Sequence, residues 1–268
     1  METTRPRAHI EVRYEAAAQE YLRNLPPEHF MEATAQATQR KITLESLDLV
    51  SALRPDVHVF NELLVQYERR GERKPGQVVP DNMVVIGTEP IRAMSSYNLP
   101  LEAEPPFWML EYVSKNNRRK DYDENFDKYE KELRVPYYLV FYPDNQELTL
   151  YHLEERKYVS VKENSQGRHA IPELDLEMAL LEGWVRYWYQ GKLLPLPADL
   201  MHEADKYRLL AEENAQRAEE NASVATAESQ RADIEAKRAS EFQRRFEETD
   251  KALRAAEKEL AELRTRLQ

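Results

Sequence analysis

The chain has 268 residues, no cysteine and a formal net charge of −11. That length holds one domain of roughly 100–200 residues plus an appendage. The missing thiols exclude disulfides and thiolate metal sites, and the acidic balance argues against broad electrostatic binding of nucleic acid while leaving room for a local basic patch. The six histidines fall in no metal-ligand spacing. No apolar run approaches the about 18 residues of a membrane span, and residues 1–10 lack the apolar core of a signal peptide. The expectation is a cytoplasmic protein without a membrane partner.

Residues 1–55 form a polar, alanine-rich zone of mostly helical character. Ala16, Ala17, Tyr21 and Leu22 have helix-like spacing, and Pro26-Pro27 ends that segment. A second, short helix is predicted over 44–53, with Thr43 as its N-cap and Glu45 in its first turn; Arg54-Pro55 stops it. From 56 to about 190 the apolar residues come in short runs rich in Val, Tyr, Phe and Leu, which favour strands. The runs are 57–67, 83–87, 107–114, 137–142, 148–153 and 158–161. Pro143-Asp144-Asn145-Gln146 reads as a hairpin turn between two of them. Phe126, Tyr129 and Leu133 give the stretch between 114 and 137 the apolar face of a helix. Strands with a helix crossing between them make an α/β (α+β) domain. Trp184, Tyr187, Trp188 and Tyr189 close its core.

A linker over 191–199 separates this domain from the tail, 200–268. Every seventh residue from Ala204 to Leu267 is apolar, and a second set at the 3/4 offset runs from Leu200 to Leu263. That is a heptad seam held in one register, and no Gly or Pro interrupts it. Its strongest part is Phe242, Phe246, Leu253, Leu260, Leu263 and Leu267, whereas the middle carries Asn214, Asn221, Glu228 and Glu235. The tail is expected to be one long helix that self-associates as a coiled coil or joins a partner helix, with a homodimer favoured because seam asparagines specify dimers. The alternative is a single solvated helix held by i,i+4 ion pairs.

Three acids lie on or beside strands: Glu62, Asp81 and Glu111. A carboxylate inside an otherwise buried strand is costly unless it is paired or metal-bound; the bland alternative is surface alternation. Carboxylates converging at strand ends can hold Mg²⁺, or Mn²⁺ in its place, through hard oxygen ligands. The ion polarises a phosphodiester and activates water, and a nearby cation stabilises the developing charge. Glu111, Val113 and Lys115 share one strand face by period-two alternation, which makes Lys115 the candidate cation. Arg118, Arg119 and Lys120 follow, either as further phosphate contacts or as a solvated loop. If acids only repel one another there, replacing Asp81 or Glu111 by alanine should leave the fold intact or firmer.

The order Val-Pro-Asp81-Asn-Met-Val-Val, Glu111-Tyr-Val-Ser114, Asp121 to Tyr129, and Val135-Pro136-Tyr-Tyr-Leu-Val-Phe-Tyr-Pro143 resembles the bacterial Uma-two family of restriction-endonuclease-like proteins, in the PD-(D/E)XK nuclease superfamily. The resemblance covers roughly residues 56–189. It implies a restriction-endonuclease-like core with a mixed sheet and flanking helices. It also implies that Asp81 fills the proline-aspartate position, Glu111 the (D/E) position and Glu62 an upstream acidic position, together the Mg²⁺ ligands. Departures are visible. Val113 stands where the motif's lysine belongs, and Asn125 stands four residues before Tyr129, where members of the family often carry one. The turn Arg134-Val135-Pro136-Tyr137-Tyr138 and the closing Tyr142-Pro143 also differ from the pattern. The resemblance implies a Mg²⁺-dependent DNA endonuclease that hydrolyses phosphodiester bonds, with Asp81 and Glu111 as catalytic residues; with the family's lysine missing, the catalytic cation is Lys115, placed by strand alternation, or else Lys120 or Lys128, or is absent. The rival reading is a degenerate nuclease fold serving as a binding or scaffold module through its coiled coil.

Overall fold

The computed structural model describes residues 7–25, 34–69, 71–91, 93, 95–113 and 124–266, with side chains as far as 261. The chain divides into two compact units, Met1–Asp199 and Leu200–Gln268.

In chain order the first unit has α1 (Arg7–Arg23), α2 (Thr34–Leu53), β1 (Val57–Asn61), β2 (Leu64–Tyr67), β3 (Gly76–Val78), β4 (Asn82–Ile86), β5 (Ser96–Asn98) and β6 (Trp108–Tyr112). A helical segment over 124–133 follows, its later part, Lys128–Leu133, wound as a π-helix. Then come β7 (Tyr137–Tyr142), β8 (Glu147–Glu154), β9 (Lys157–Ser160), β10 (His169–Ile171), β11 (Leu176–Leu181), β12 (Trp184–Tyr189) and β13 (Lys192–Leu193). A mixed six-stranded sheet in the order β1-β4-β6-β7-β8-β9 carries the unit. Only β6 and β7 in it run parallel; its other neighbours are antiparallel.

Both faces of that sheet are covered. Along β6, Trp108, Leu110 and Tyr112 enter one core, while Met109 and, just past the strand, Val113 enter the other. Burial on two sides explains why this stretch of sequence is almost continuously apolar instead of alternating. The first core is completed by Leu47 and Val50 of α2 and by the four-stranded sheet β10-β11-β12-β13, which contributes Ile171, Met178, Val185 and Tyr187. The second is completed by the three-stranded sheet β3-β2-β5 and the 124–133 helix, through Val65, Tyr97 and Tyr129. α1 is tied to the three-stranded sheet by the Gln66 and Gln77 amides, which donate to the carbonyls of Tyr14 and Ala17.

The α/β architecture with a mixed sheet, flanking helices and a long C-terminal helix is the expected one. Its details differ in three places. The run 57–67 is not one strand. Glu62 adopts a left-handed backbone (φ 48°) and turns the chain from β1, which pairs with β4, to β2, which pairs with β3 and β5. The helix expected over 44–53 begins at Thr34 instead, so Thr43 is no N-cap. It sits in mid-helix, fully buried, with its hydroxyl 2.8 Å from that of Tyr187. Polar residues that are buried there, Gln39, Thr43 and Ser46, mask the apolar stripe by which a helix is recognised. Finally, 191–199 is not simply a linker: Lys192–Leu193 pairs with β12, Leu194 is buried in the first core, and the last helix begins at Pro197.

The second unit belongs to α3, a helix of 70 residues spanning Pro197–Arg266, about 105 Å long at 1.5 Å per residue. Its start is well specified. Pro197 takes the first helical position, where a missing N–H costs nothing, and Asp199 accepts the Leu196 N–H at 2.9 Å. The seam residues Phe242 and Phe246 are 74% and 64% exposed. Ion pairs at i,i+4, such as Arg244–Glu248 and Asp250–Arg254, support the helix. Among the described residues no helix is long and apolar enough to cross a membrane.

Candidate active site

Strand register assembles the site. In the β4/β6 pair Asn82 faces Leu110, so one step further out Asp81 stands opposite Glu111. In the β1/β4 pair Asn61 faces Asn82, so one step out Glu62 stands opposite Asp81; the Glu62 N–H donates to the Asp81 carbonyl at 3.2 Å. Three acids therefore stand at one level: Glu111 within β6, Asp81 just before β4 and Glu62 just after β1. Parity puts Asp81 on the face of Met83 and Val85, and Glu111 on the face of Met109 and Val113, which is the same second-core face. Residues directly opposite in an antiparallel pair have Cβ atoms roughly 4.5–5.5 Å apart.

Asp81 is anchored from two sides. It accepts the Tyr112 backbone N–H at 2.6 Å and Nη2 of Arg40 at 2.7 Å. Nη1 of the same guanidinium lies 2.8 Å from Oε1 of Glu62. The Arg40 and Asp81 side chains are 13% and 20% exposed, that of Glu62 53%. Burial raises the Asp81 pKa above its ordinary 3.8; the Tyr112 N–H and Arg40 pull it back, and the charge of Glu62 adds to the rise. Arg40 comes from a polar stripe of α2. Gln36 donates to the Tyr112 carbonyl, and Thr43 lies 2.7 Å from the Tyr112 hydroxyl. That hydroxyl also lies 2.8 Å from Oδ1 of Asn82.

Glu111 is 4% exposed, and its Oε1 accepts both the Tyr129 hydroxyl, at 2.6 Å, and Nδ2 of Asn125, at 3.0 Å. Burial, then the neighbouring Glu111 charge, hold the Tyr129 pKa well above 10, so the phenol stays a donor. Both donors project from the 124–133 helix, whose π-type winding is a local widening often found at functional sites. In α1, Tyr21 is also shifted upward, by burial first and Glu111 second.

Among the described residues no group of three His, Cys, Asp or Glu side chains forms a metal cluster. The expected convergence of Glu62, Asp81 and Glu111 is thus an aligned row and not a three-acid cage, because Glu62 turns its carboxylate to Arg40. Val113, at the motif's lysine position, is buried in the second core. Lys115, Arg118, Arg119 and Lys120 lie outside the described residues. Arg40 was not anticipated. Its signal was the spacing of Gln36, Gln39, Arg40 and Thr43, a polar stripe at helical intervals beside Ile42, Leu47 and Val50.

The model of the Uma2 family, described as "Putative restriction endonuclease", matches residues 8–182. The chain belongs to the Uma2 family. The match runs from α1 to the end of β11 and takes in all three acids, Arg40, Asn125 and Tyr129; α3 lies beyond it. A crystal structure described as "a putative nuclease belonging to DUF820 from Anabaena variabilis ATCC 29413" is similar at 15% identity and a TM-score of 0.43, covering 59% of this chain and 89% of that one. No curated protein matches the chain.

Proposed function

We propose that this Uma2 protein is a divalent-metal-dependent endonuclease that hydrolyses phosphodiester bonds in DNA and works as a homodimer joined through α3. The observation that carries the reading is the Asp81–Glu111 pair: Glu111 lies in β6 and Asp81 immediately before the neighbouring β4, at one level by strand register. The residues fit a hard cation. Their donors are carboxylate oxygens, and Asp81 already holds a cationic group, the Arg40 guanidinium.

Asp81 and Glu111 would hold Mg²⁺ or Mn²⁺, which when bound polarises the scissile phosphate and makes adjacent water a better nucleophile. Asn125 and Tyr129, both on Oε1, orient the Glu111 carboxylate. The Tyr112 N–H fixes Asp81. The phosphate-facing cation is assigned to Lys115, four residues after Glu111. Glu62, half exposed and paired to Arg40, stands outside the ligand pair.

The test is cleavage of plasmid DNA by the full chain with Mg²⁺, with Mn²⁺ and with chelator. Cleavage should require the ion and fall by roughly 10²-fold or more in Asp81→Asn and Glu111→Gln. Cleavage that survives chelation, or none by the unaltered chain, would sink the reading. In the latter case a scaffold role gains, favoured by Val113 and Asn125 standing where a lysine is expected and by the exposed seam of α3.

A further inference from the structure

We infer that Arg40 is the built-in counter-ion of this site: its guanidinium holds the Asp81 carboxylate that a divalent cation would use, and loading the ion displaces it from Asp81 while Glu62 retains it. The inference rests on the metal-dependent reading above and adds a residue to it.

The geometry is that of two separate grips. Nη2 contacts Asp81 at 2.7 Å and Nη1 contacts Glu62 at 2.8 Å, so one planar fork serves two acids with different nitrogens. Letting go of Asp81 therefore leaves the second grip in place. The two acids are unequal. Asp81 is mostly buried, locked by the Tyr112 N–H and unable to follow a moving guanidinium, whereas the Glu62 side chain is 53% exposed. The helix behind Arg40 is also fixed. Gln36 is bonded to the Tyr112 carbonyl, and Gln39 exchanges both hydrogen bonds with the main chain of Val185, donating at 3.1 Å and accepting at 2.8 Å. Movement is then confined to the Arg40 side chain. A carboxylate in a partly buried setting needs a cation whether or not metal is present, and Arg40 meets that need between loading events. The energetic consequence is competition. The apparent affinity for the ion equals its intrinsic affinity reduced by the work of breaking the Arg40–Asp81 contact, so removing Arg40 should tighten metal binding. A residue with a purely architectural role would, on removal, loosen the site and weaken binding.

The experiment is calorimetric titration of Mn²⁺ into the full chain, its Arg40→Gln and Arg40→Lys variants, and Asp81→Asn, with circular dichroism to verify folding. Arg40→Gln should bind Mn²⁺ about ten-fold tighter than the unaltered chain, the size expected for losing one charge-assisted hydrogen bond. Its metal-free melting temperature should fall, and saturating Mn²⁺ should close most of that gap. Arg40→Lys, which lacks the planar fork that presents a separate nitrogen to each carboxylate, should stay folded and bind with intermediate affinity; it decides the matter if the glutamine variant does not fold. Equal or weaker Mn²⁺ binding in the folded variants overturns the inference and leaves the nuclease reading standing. No Mn²⁺ binding by the unaltered chain, or undiminished binding by Asp81→Asn, overturns both.

Discussion

The Tyr129 hydroxyl donates to Oε1 of Glu111 across 2.6 Å, at a carboxylate that is 4% exposed. Strand context alone suggests that acids here merely repel one another, so that truncating one should leave the fold firmer. The hydrogen bonds reverse that sign. Glu111→Ala strands the buried Tyr129 hydroxyl and the Asn125 amide, at a cost of about 1–3 kcal/mol. Urea denaturation should show a lower midpoint than in the unaltered chain, with Glu111→Gln in between; an unchanged midpoint would mean that water replaces the lost acceptor.

Asn125 offers a gain of function. Its Nδ2 lies 3.0 Å from Glu111, at a position where the chain lacks a cation. Asn125→Lys should keep a donor to Glu111 and add positive charge beside the proposed metal pair. Mg²⁺-dependent plasmid cleavage is expected to rise roughly ten-fold or more. Unchanged cleavage in a folded variant would mean that charge at this position does not limit the reaction.

What could be read from the sequence follows burial. The strands that became β4, β6, β7, β8 and β9 were legible because their apolar runs are short, β-rich and bounded by turn residues. Asp81 and Glu111 were legible because an acid in such a run has no cheap explanation. Long-range polar pairing was not legible. Gln39, Thr43 and Ser46 make α2 look too polar for a buried helix until the partners of Gln39 and Thr43 on β12 and β6 are known. The break at Glu62 was equally hidden, since a non-glycine residue in the left-handed region is uncommon and no glycine marks the bend. In the sheet of β10 to β13 the outer strands are three and two residues long, and the six-residue β11 and β12 mix buried with part-exposed positions, which weakens the run-length signal.

Asp56 gives a pH test remote from the acids. Arg54 holds its carboxylate with Nε at 3.1 Å and Nη2 at 2.5 Å, and the Asp56 pKa lies below its ordinary 3.8, first through that hydrogen bond. A depressed folded-state pKa adds stability that is fully present above the unfolded value and is lost as pH falls through the folded one. Asp56→Asn should therefore melt below the unaltered chain at neutral pH, and the two curves should merge at a pH under 3.8. A gap that persists in acid would assign the effect to packing. The same Arg54 also donates to the Glu173 carbonyl at 2.8 Å, so the site of measurement joins two parts of one core.

For the tail, the place of truncation matters. Asp199 caps Leu196 and lies 3.5 Å from Arg186, so a chain ending after Asp199 keeps contacts that one ending at Leu196 loses. The longer truncation should be a folded monomer, and the shorter one should melt at a lower temperature. Sedimentation at tens of micromolar should give a dimer for the full chain and a monomer for the double variant Phe242→Asp, Phe246→Asp. A monomeric full chain would leave α3 as a solitary, ion-paired helix.

Gln39 also guards an opening. β13 pairs with β12 only at Trp188 and Tyr189, which leaves the main chain of Val185 without a strand beside it on that side. The Gln39 amide presents one N–H and one C=O to that gap, at 3.1 and 2.8 Å, as a peptide group of a neighbouring strand would. A helix has in effect lent a single rung to a ladder. Unpaired rungs are the template on which foreign strands add; here the residue that anchors the helix occupies that rung itself.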